Sequence, residues 1–423
     1  MRLLYIILLV LLLPVFLAVA AVRAKRQTGS ADSTRDRLGF ASPAPPGKVL
    51  WVHASSVGEM QAAVPLVKAL SAGYPDAHLV VSSFTASGMS RARAAFGETV
   101  QVCALPFDLP SFNRRFISRI RPHALIVMET EIWPNLYAEI AARGVPVLLV
   151  SARMTERSLR NYRRLGELVT RAMRQVSYVG AQTVADGERF CELGVARNAI
   201  RTVGNLKFDI PESAEVREQG QAMRSLLFGA APVLVAASTR VGEDEIVLDA
   251  FARLREAHAD ARLVIVPRHP ERGGAVAGMA RDAGFRVALR TADSVPGGID
   301  VYVIDTIGEL NAFYAASDAC FVGGSLVPAG GHNLLEPASL GIATVTGPLH
   351  SAAPDIFEDM RDSRAIIVVR DAGGLARAWR ELLDDPVRRD ELGQAARATV
   401  ERNRGTLETV MGDVGKFLGG SDG

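Results

Sequence analysis

From residue 48 onward, short apolar runs rich in β-branched residues alternate with stretches of helical character, and few architectures accept that rhythm. The runs fall at 49–52, 79–81, 100–102, 125–128, 145–150 and 178–180, then at 233–235, 263–266, 301–304, 319–322, 343–345 and 365–369. Apolar runs of this length separated by helices read as βα units, whose strands pair in parallel and are covered on both faces. A polar stretch rich in Glu, Gln and Arg at 209–229 interrupts the series, so the pattern predicts an α/β fold of two domains with a hinge between them. The expected boundaries are 48–208 for the first domain, 209–230 for an interdomain linker, 231–400 for the second domain and 401–423 for a C-terminal helix and tail. A chain of 423 residues, 48% hydrophobic and 22% charged, has the length for two domains of ordinary size and an extra segment.

In open parallel sheets ligands bind beyond the carboxyl ends of the strands, so chemistry should collect just after each apolar run. After the first run stands HASSVGE, ending in Glu59, and after the fourth stands ETEIWP, with Glu129 and Glu131. Glu59 has a structural reading as a first-turn acid capped by Ser55 or Ser56 and favoured by the helix dipole. Two acids directly behind a run as apolar as LIVM are harder to treat as merely solvated. Desolvation and a like-charged neighbour raise a carboxyl pKa toward the range useful to a general base.

The densest signal in the second half is FVGGSLVPAGGHNLLEP at 321–337. A buried strand stops there, two glycine pairs turn the backbone, and a helix opens with Glu336 in its first turn. Glycines let the main chain approach a ligand, helix N-termini attract anions, and Glu336 is placed to accept hydrogen bonds from a ribose, so the stretch reads as a nucleotide site. Two glycine pairs are also ordinary turn chemistry, and what favours the site is its company. Arg268 in PRHPER and Lys207 in GNLKFD are cations suited to a diphosphate, a phosphate leaving group or a sugar carboxylate.

The N-terminus differs in kind. Residues 3–22, LLYIILLVLLLPVFLAVAAV, carry no charge and match the roughly 20 apolar residues that cross a bilayer as a helix. The rival is a cleaved signal peptide, since Ala18-Val-Ala20 has the small-x-small form of a cleavage site. The run exceeds the usual apolar core of such peptides, and Arg23, Lys25 and Arg26 outweigh Arg2, which predicts a membrane anchor at 1–24 with the bulk of the chain cytoplasmic. Residues 25–47, polar and proline-rich, then read as a juxtamembrane linker. Arginine clusters at 114–121 and 153–164 read as solvated helix faces or as surfaces toward anionic lipid. A net charge of +2 gives no case for nucleic acid as a partner. Three scattered cysteines and seven histidines without ligand spacing give no case for a disulfide framework or a zinc site.

Taken in order, WVHASSVGE, METEIWPN, GNLKFD, AASTRVGEDE, VPRHPER, DTIGEL and FVGGSLVPAGGHNLLEPA resemble the motif series of the bacterial 3-deoxy-D-manno-octulosonic acid (Kdo) transferases, from residue 49 to about residue 348. That resemblance implies a GT-B glycosyltransferase fold, two Rossmann-like domains facing a cleft, preceded by an N-terminal transmembrane helix. It implies transfer of Kdo from CMP-Kdo to the lipid A precursor, with inversion at the anomeric carbon and no catalytic metal or other cofactor, at the bacterial inner membrane. The first domain would bind the acceptor and the second CMP-Kdo. Carried over residue by residue, Glu59 would be the proton acceptor, and Glu129 and Lys207 would stabilise the transition state. Pro267 and Arg268, then Ile307, Gly308 and Glu309, then Asn333, Leu334, Leu335 and Glu336 would hold CMP.

Several positions depart from the family pattern. Ile307 stands where Met is common, Arg240 where His is frequent, Ser151 where Asn is usual, and SFTASG is a loose form of a TTPTG-like loop. The rival functions are another GT-B enzyme acting on a UDP-sugar, as transferase or epimerase, and a tethered scaffold without turnover. A scaffold predicts decay of a catalytic position, whereas Glu59, Glu129 and Lys207 are all present.

Overall fold

The structure, a computed structural model, describes residues 1–26, 31–210, 214–292 and 298–419; within the N-terminal helix and the segment after it, side chains 17–33 lie outside the description. The chain forms two compact units, Met1–Asp209 with Arg404–Gly423, and Ile210–Asn403.

The first unit is built on a seven-stranded sheet of β1 (Val49–His53), β2 (His78–Ser83), β3 (Gln101–Ala104), β4 (Ala124–Met128), β5 (Val147–Ala152), β6 (Tyr178–Ala181) and β7 (Ile200–Thr202), in the order β3-β2-β1-β4-β5-β6-β7. Every pairing is parallel. Burial explains the composition of the runs, since β1, β4 and β5 are buried along their whole length. Alternate residues feed two cores: Trp51, Leu125 and Leu149 pack on one face with Phe116 and Tyr137, and Leu50, Ile126 and Leu148 on the other with Leu66 and Val410. The order reverses between β1 and β4, which opens a crevice at their carboxyl ends.

The second unit repeats the plan with β8 (Val233–Thr239), β9 (Arg262–Pro267), β10 (Val287–Leu289), β11 (Val301–Val303), β12 (Ala319–Val322), β13 (Ala343–Thr346) and β14 (Ile367–Val368), in the order β10-β11-β9-β8-β12-β13-β14, all parallel. Here the reversal falls between β8 and β12. One face carries Leu234, Ile265 and Phe321 against Phe251 and Trp379.

Both strands absent from the sequence reading are three-residue edge strands, β7 (IRT) and β10 (VAL). β7 has two exposed residues of three, so it carries no apolar run to read. Two expected linkers are corrected. Residues 209–230 contain the helix Ala214–Leu227, which packs within the second unit because Gly220 lies against Ala312 and Ala315; a Cβ there would stand 2.5 Å from that of Ala315. Residues 36–44 of the expected juxtamembrane linker at 25–47 are also packed. Asp36 accepts the backbone N–H of Ala104 at 3.0 Å, Ala41 and Ala44 are buried, and Arg115, Arg119 and Arg121 donate to the carbonyls of Leu38, Ala41 and Ala44. These arginines thus act as staples for the segment. In the other arginine cluster, Arg160 pairs with Glu156 and Arg163 with Glu192.

The chain begins with the helix Arg2–Arg26. Arg2 donates to Asn135 at 2.8 Å, Tyr5 donates to Asp108 at 3.1 Å, and Phe16 stacks on Phe107 with ring centroids 5.6 Å apart, so residues 2–16 lie along the first unit. Leu3, Leu4, Ile7, Leu8 and Leu11 remain exposed. Among the described residues no helix is long and apolar enough to cross a membrane; the expected span at 3–22 runs past Phe16 into side chains outside the description. The C-terminal helix Thr406–Phe417 packs on the first unit through Val410 and Val414, and Tyr178 donates to Asp413 at 2.7 Å.

Candidate active site

At the reversal in the first sheet, β1 delivers His53 to a short loop whose Ser56 caps the helix Val57–Gly73 by accepting the N–H of Glu59 at 3.2 Å. Glu59 reciprocates: one carboxylate oxygen accepts the Ser55 N–H at 2.8 Å and the other the Ser56 hydroxyl at 2.9 Å. The box-like cap anticipated as a structural role is therefore present. It coexists with an unusual charge environment. Burial pushes the Glu59 carboxyl up; the Ser55 and Ser56 hydrogen bonds pull it down, and the neighbouring Glu129 and Glu131 charges add to the rise.

Glu129 follows β4 with φ of +53°, a left-handed conformation that costs a non-glycine residue free energy and is concentrated at functional sites. Its N–H still donates to the Val150 carbonyl at 3.0 Å, so the strand ladder holds it in place. Its carboxylate meets the ammonium of Lys207 at 2.7 Å. Glu131 accepts the Trp133 indole N–H at 3.0 Å and lies 3.9 Å from Nε2 of the buried His53. The residues anticipated as catalytic, Glu59, Glu129 and Lys207, are thus brought to one sheet end.

Lys207 reaches it through residues the sequence reading did not assign. It sits in the turn Leu206–Phe208, where Asn205 accepts its N–H at 3.0 Å. Asn205 also donates to Gln182 at 3.2 Å, and Gln182 donates to the carbonyl of Ser151 at 3.0 Å. The Ser151 hydroxyl, on a residue with φ of +51°, accepts the Leu206 N–H at 3.3 Å. Ser151, Gln182 and Asn205 lie at or beyond the ends of β5, β6 and β7, and that position is the one sequence signal they carry.

In the second unit the anticipated nucleotide residues also lie beyond strand ends. Pro267 closes β9 and Arg268 follows it exposed; Ile307 is 86% exposed and Gly308 has φ of +95°. Glu309 is engaged: Arg290 donates to both of its oxygens at 2.9–3.2 Å, and Thr306 donates as well. Burial opposes its ionisation, but the Arg290 and Thr306 hydrogen bonds more than offset this and hold its carboxyl below the usual range. Asn333 accepts the Leu335 N–H and donates to Glu336, each at 3.1 Å. Leu334 and Leu335 are buried. Burial raises the Glu336 carboxyl against the Asn333 hydrogen bond and the Arg268 charge.

The loop itself is held by Glu243, which is fully buried. Its carboxylate accepts the N–H groups of Gly324 at 2.6 Å, Ser325 and Leu326 at 2.9 Å and Arg240 at 3.0 Å. This acid lies in the GEDE segment, which the sequence reading quoted without a role. Among the described residues no group of three or more His, Cys, Asp or Glu is arranged to hold a metal ion.

Residues 32–210 match the family model of 3-deoxy-D-manno-octulosonic-acid transferase (kdotransferase), and 243–399 match glycosyl transferases group 1. The chain is 34% identical over 414 residues to the 3-deoxy-D-manno-octulosonic acid transferase of Haemophilus influenzae, covering 97% of each chain. It is 36% identical over 413 residues to that of Bordetella pertussis, covering 94% of this chain and 95% of the relative. Among solved structures, UDP-GlcNAc 2-epimerase from Neisseria meningitidis aligns with a TM-score of 0.58 at 13% identity, covering 88% of this chain and 100% of that one. A glycosyltransferase from Rickettsia africae aligns at 0.56 and 12% identity, covering 89% and 100%. The structural likenesses show the two-domain, GT-B-like α/β fold, and the sequence identities reach much further. Related over nearly its whole length to transferases of this one kind, the chain belongs to the 3-deoxy-D-manno-octulosonic acid transferase family and is a glycosyltransferase.

Proposed function

We propose that the protein transfers Kdo from CMP-Kdo to the lipid A precursor, with inversion, in lipopolysaccharide biosynthesis. The observation that carries this is the placement of Glu59 beside the Glu129–Lys207 pair at the reversal between β1 and β4. Glu59 takes the proton from an acceptor hydroxyl. The freed oxygen attacks the anomeric carbon of Kdo from the face opposite the phosphate, and the carbon–phosphate oxygen bond breaks with its electron pair leaving on CMP. A carboxyl pushed upward by burial binds that proton more readily than a solvated one. Glu129 and Lys207 stabilise the separating charges, and Glu129 also holds the ammonium in place.

CMP is held by Pro267 and Arg268, by 307–309 and by 333–336, with Arg268 on phosphate and Glu336 on the ribose. Leu334 and Leu335 contribute through their backbone, since both side chains are buried. The reading calls for no metal or cofactor, because Lys207 and Arg268 supply the cations. We place the enzyme at the inner membrane with both units cytoplasmic and the N-terminal helix as its single anchor. The exposed Leu3, Leu4, Ile7, Leu8 and Leu11 support contact with lipid.

Mass spectrometry of lipid A precursor incubated with CMP-Kdo and the full chain tests the proposal: the acceptor gains the mass of one or more Kdo units, and Glu59→Gln abolishes the gain while CMP still binds. The second reading, a UDP-sugar enzyme, is favoured by the fold likeness to a structure bound to UDP-GlcNAc. It predicts that UDP displaces CMP in competition, and CMP prevailing overturns it.

A further inference from the structure

The carboxyl edge of the second sheet holds a cation with no assigned role. Arg240 is the first residue after β8, the strand flanked by β9 and by β12 across the reversal in strand order. It therefore stands where three strand ends meet, and ligands of open parallel sheets bind at such reversals. Its backbone is fixed, because its N–H is one of those clasped by the buried Glu243.

The side chain is aimed by two imidazoles and by no carboxylate. Nε donates to Nε2 of His332 at 3.2 Å, and Nη1 lies 3.0 Å from Nε2 of His269. His332 is itself held by the loop, since a Cβ on Gly324, whose φ is +68°, would lie 2.7 Å from its ring. Burial, then the charges of Arg240 and Arg268, hold His332 down to about 4, so it receives the guanidinium as a neutral ring. Among the described residues no carboxylate lies within ion-pair distance of Arg240 or Arg268. Arg268, whose charge also acts on the Glu336 carboxyl, follows the neighbouring strand, and a part-buried guanidinium oriented by neutral rings rather than by a carboxylate is suited to binding an anion. Two of a guanidinium's five N–H donors go to the imidazoles, which leaves the Nη2 edge for a bidentate partner.

We propose that Arg240 is a donor-binding residue whose guanidinium takes an anionic oxygen of the nucleotide-linked substrate, either the phosphate or the carboxylate of the transferred sugar acid. This rests on the functional reading above and adds to it a second cation beside Arg268, with its own orienting histidines. A histidine at this position would carry full charge only below neutral pH, whereas arginine is charged throughout.

The test is calorimetric titration of the full-length wild type, R240A and R240K with CMP and with cytidine, together with KM for CMP-Kdo. If Arg240 meets the phosphate, R240A weakens CMP by about 10- to 100-fold, the range for a hydrogen bond to a charged group, and leaves cytidine unchanged. If it meets the sugar carboxylate, CMP affinity stays and KM for CMP-Kdo rises by a similar factor; either result supports the proposal. Unchanged CMP affinity with unchanged KM overturns it, and so does an equal loss for cytidine and CMP, which marks a merely structural arginine. Should R240A melt well below the wild type, R240K is read by the same comparison, since it keeps charge and loses the fork. A wild type that binds UDP and not CMP overturns the functional reading instead, and the UDP-to-uridine comparison in R240A then tests the arginine by itself.

Discussion

Glu59 is pulled in opposite directions by its surroundings, and the balance has a measurable sign. Burial and two neighbouring acids favour its protonated form, while Ser55 and Ser56 favour the ionised one, and the net shift is upward. A base must be ionised to accept a proton, so kcat/KM should rise with pH along an acid limb whose midpoint lies above the ordinary glutamate value of about 4.3. Replacing Glu131 by Gln removes one raising charge and should move that midpoint down, which a pH–rate profile reads directly. Glu59→Gln should lower kcat by about 10² to 10⁴-fold, the usual contribution of a general base. The same shift has a stability consequence of opposite sense: the folded state binds the Glu59 proton more tightly than the unfolded chain. Its contribution is therefore most favourable below the unfolded pKa and is lost as pH rises through the folded one.

Elements show how single side chains govern whole segments. The loop after β12 is shaped by one buried carboxylate accepting the N–H groups of Gly324, Ser325, Leu326 and Arg240. Glu243→Ala leaves those donors buried without an acceptor, each at about 1–3 kcal/mol. The variant should melt markedly lower and bind CMP more weakly, by calorimetry and titration, and Glu243→Gln, which keeps an acceptor oxygen, should be milder. The N-terminal helix offers a second case. Its inward side is fixed by Arg2, Tyr5 and Phe16, and its other side presents leucines. Replacing Leu4, Leu8 and Leu11 by Ser should cut co-sedimentation with lipid vesicles steeply, since burying each leucine contributes about 1.5 kcal/mol or more. The melting temperature should hardly change, because those side chains are exposed in the protein.

For the molecule as a whole, the sequence made the sheet centres legible and the edges obscure. Strands β1, β4 and β5 are buried on both faces and so must be written in apolar residues, whereas β7 needs only backbone pairing with β6 and is spelled IRT. Glu59, Glu129 and Lys207 were readable because an acid behind an apolar run, or a motif series, marks them. Ser151, Gln182 and Asn205 were not, because their work is to hydrogen-bond backbone and one another across 23 to 54 residues of sequence, which no local pattern records. Residues 36–44 and the helix Ala214–Leu227 lie in stretches that look like linkers in composition, yet arginines donating to carbonyls hold the first and Gly220 against Ala315 packs the second.

The second unit begins at Ile210 and ends at Asn403, so it interrupts the first unit rather than following it. Asp209 ties the two crossing points together by accepting the N–H of Gly405 at 2.8 Å and of Leu407 at 2.6 Å. Such an insert is a cassette. A gene in which a short Gly/Ser bridge replaces residues 210–403 should yield a protein that melts cooperatively and keeps the Glu129–Lys207 pair, and the excised piece, expressed alone, should retain its own affinity for CMP. Deleting residues 404–423 instead should destabilise the first unit, since Val410 and Val414 pack in its core.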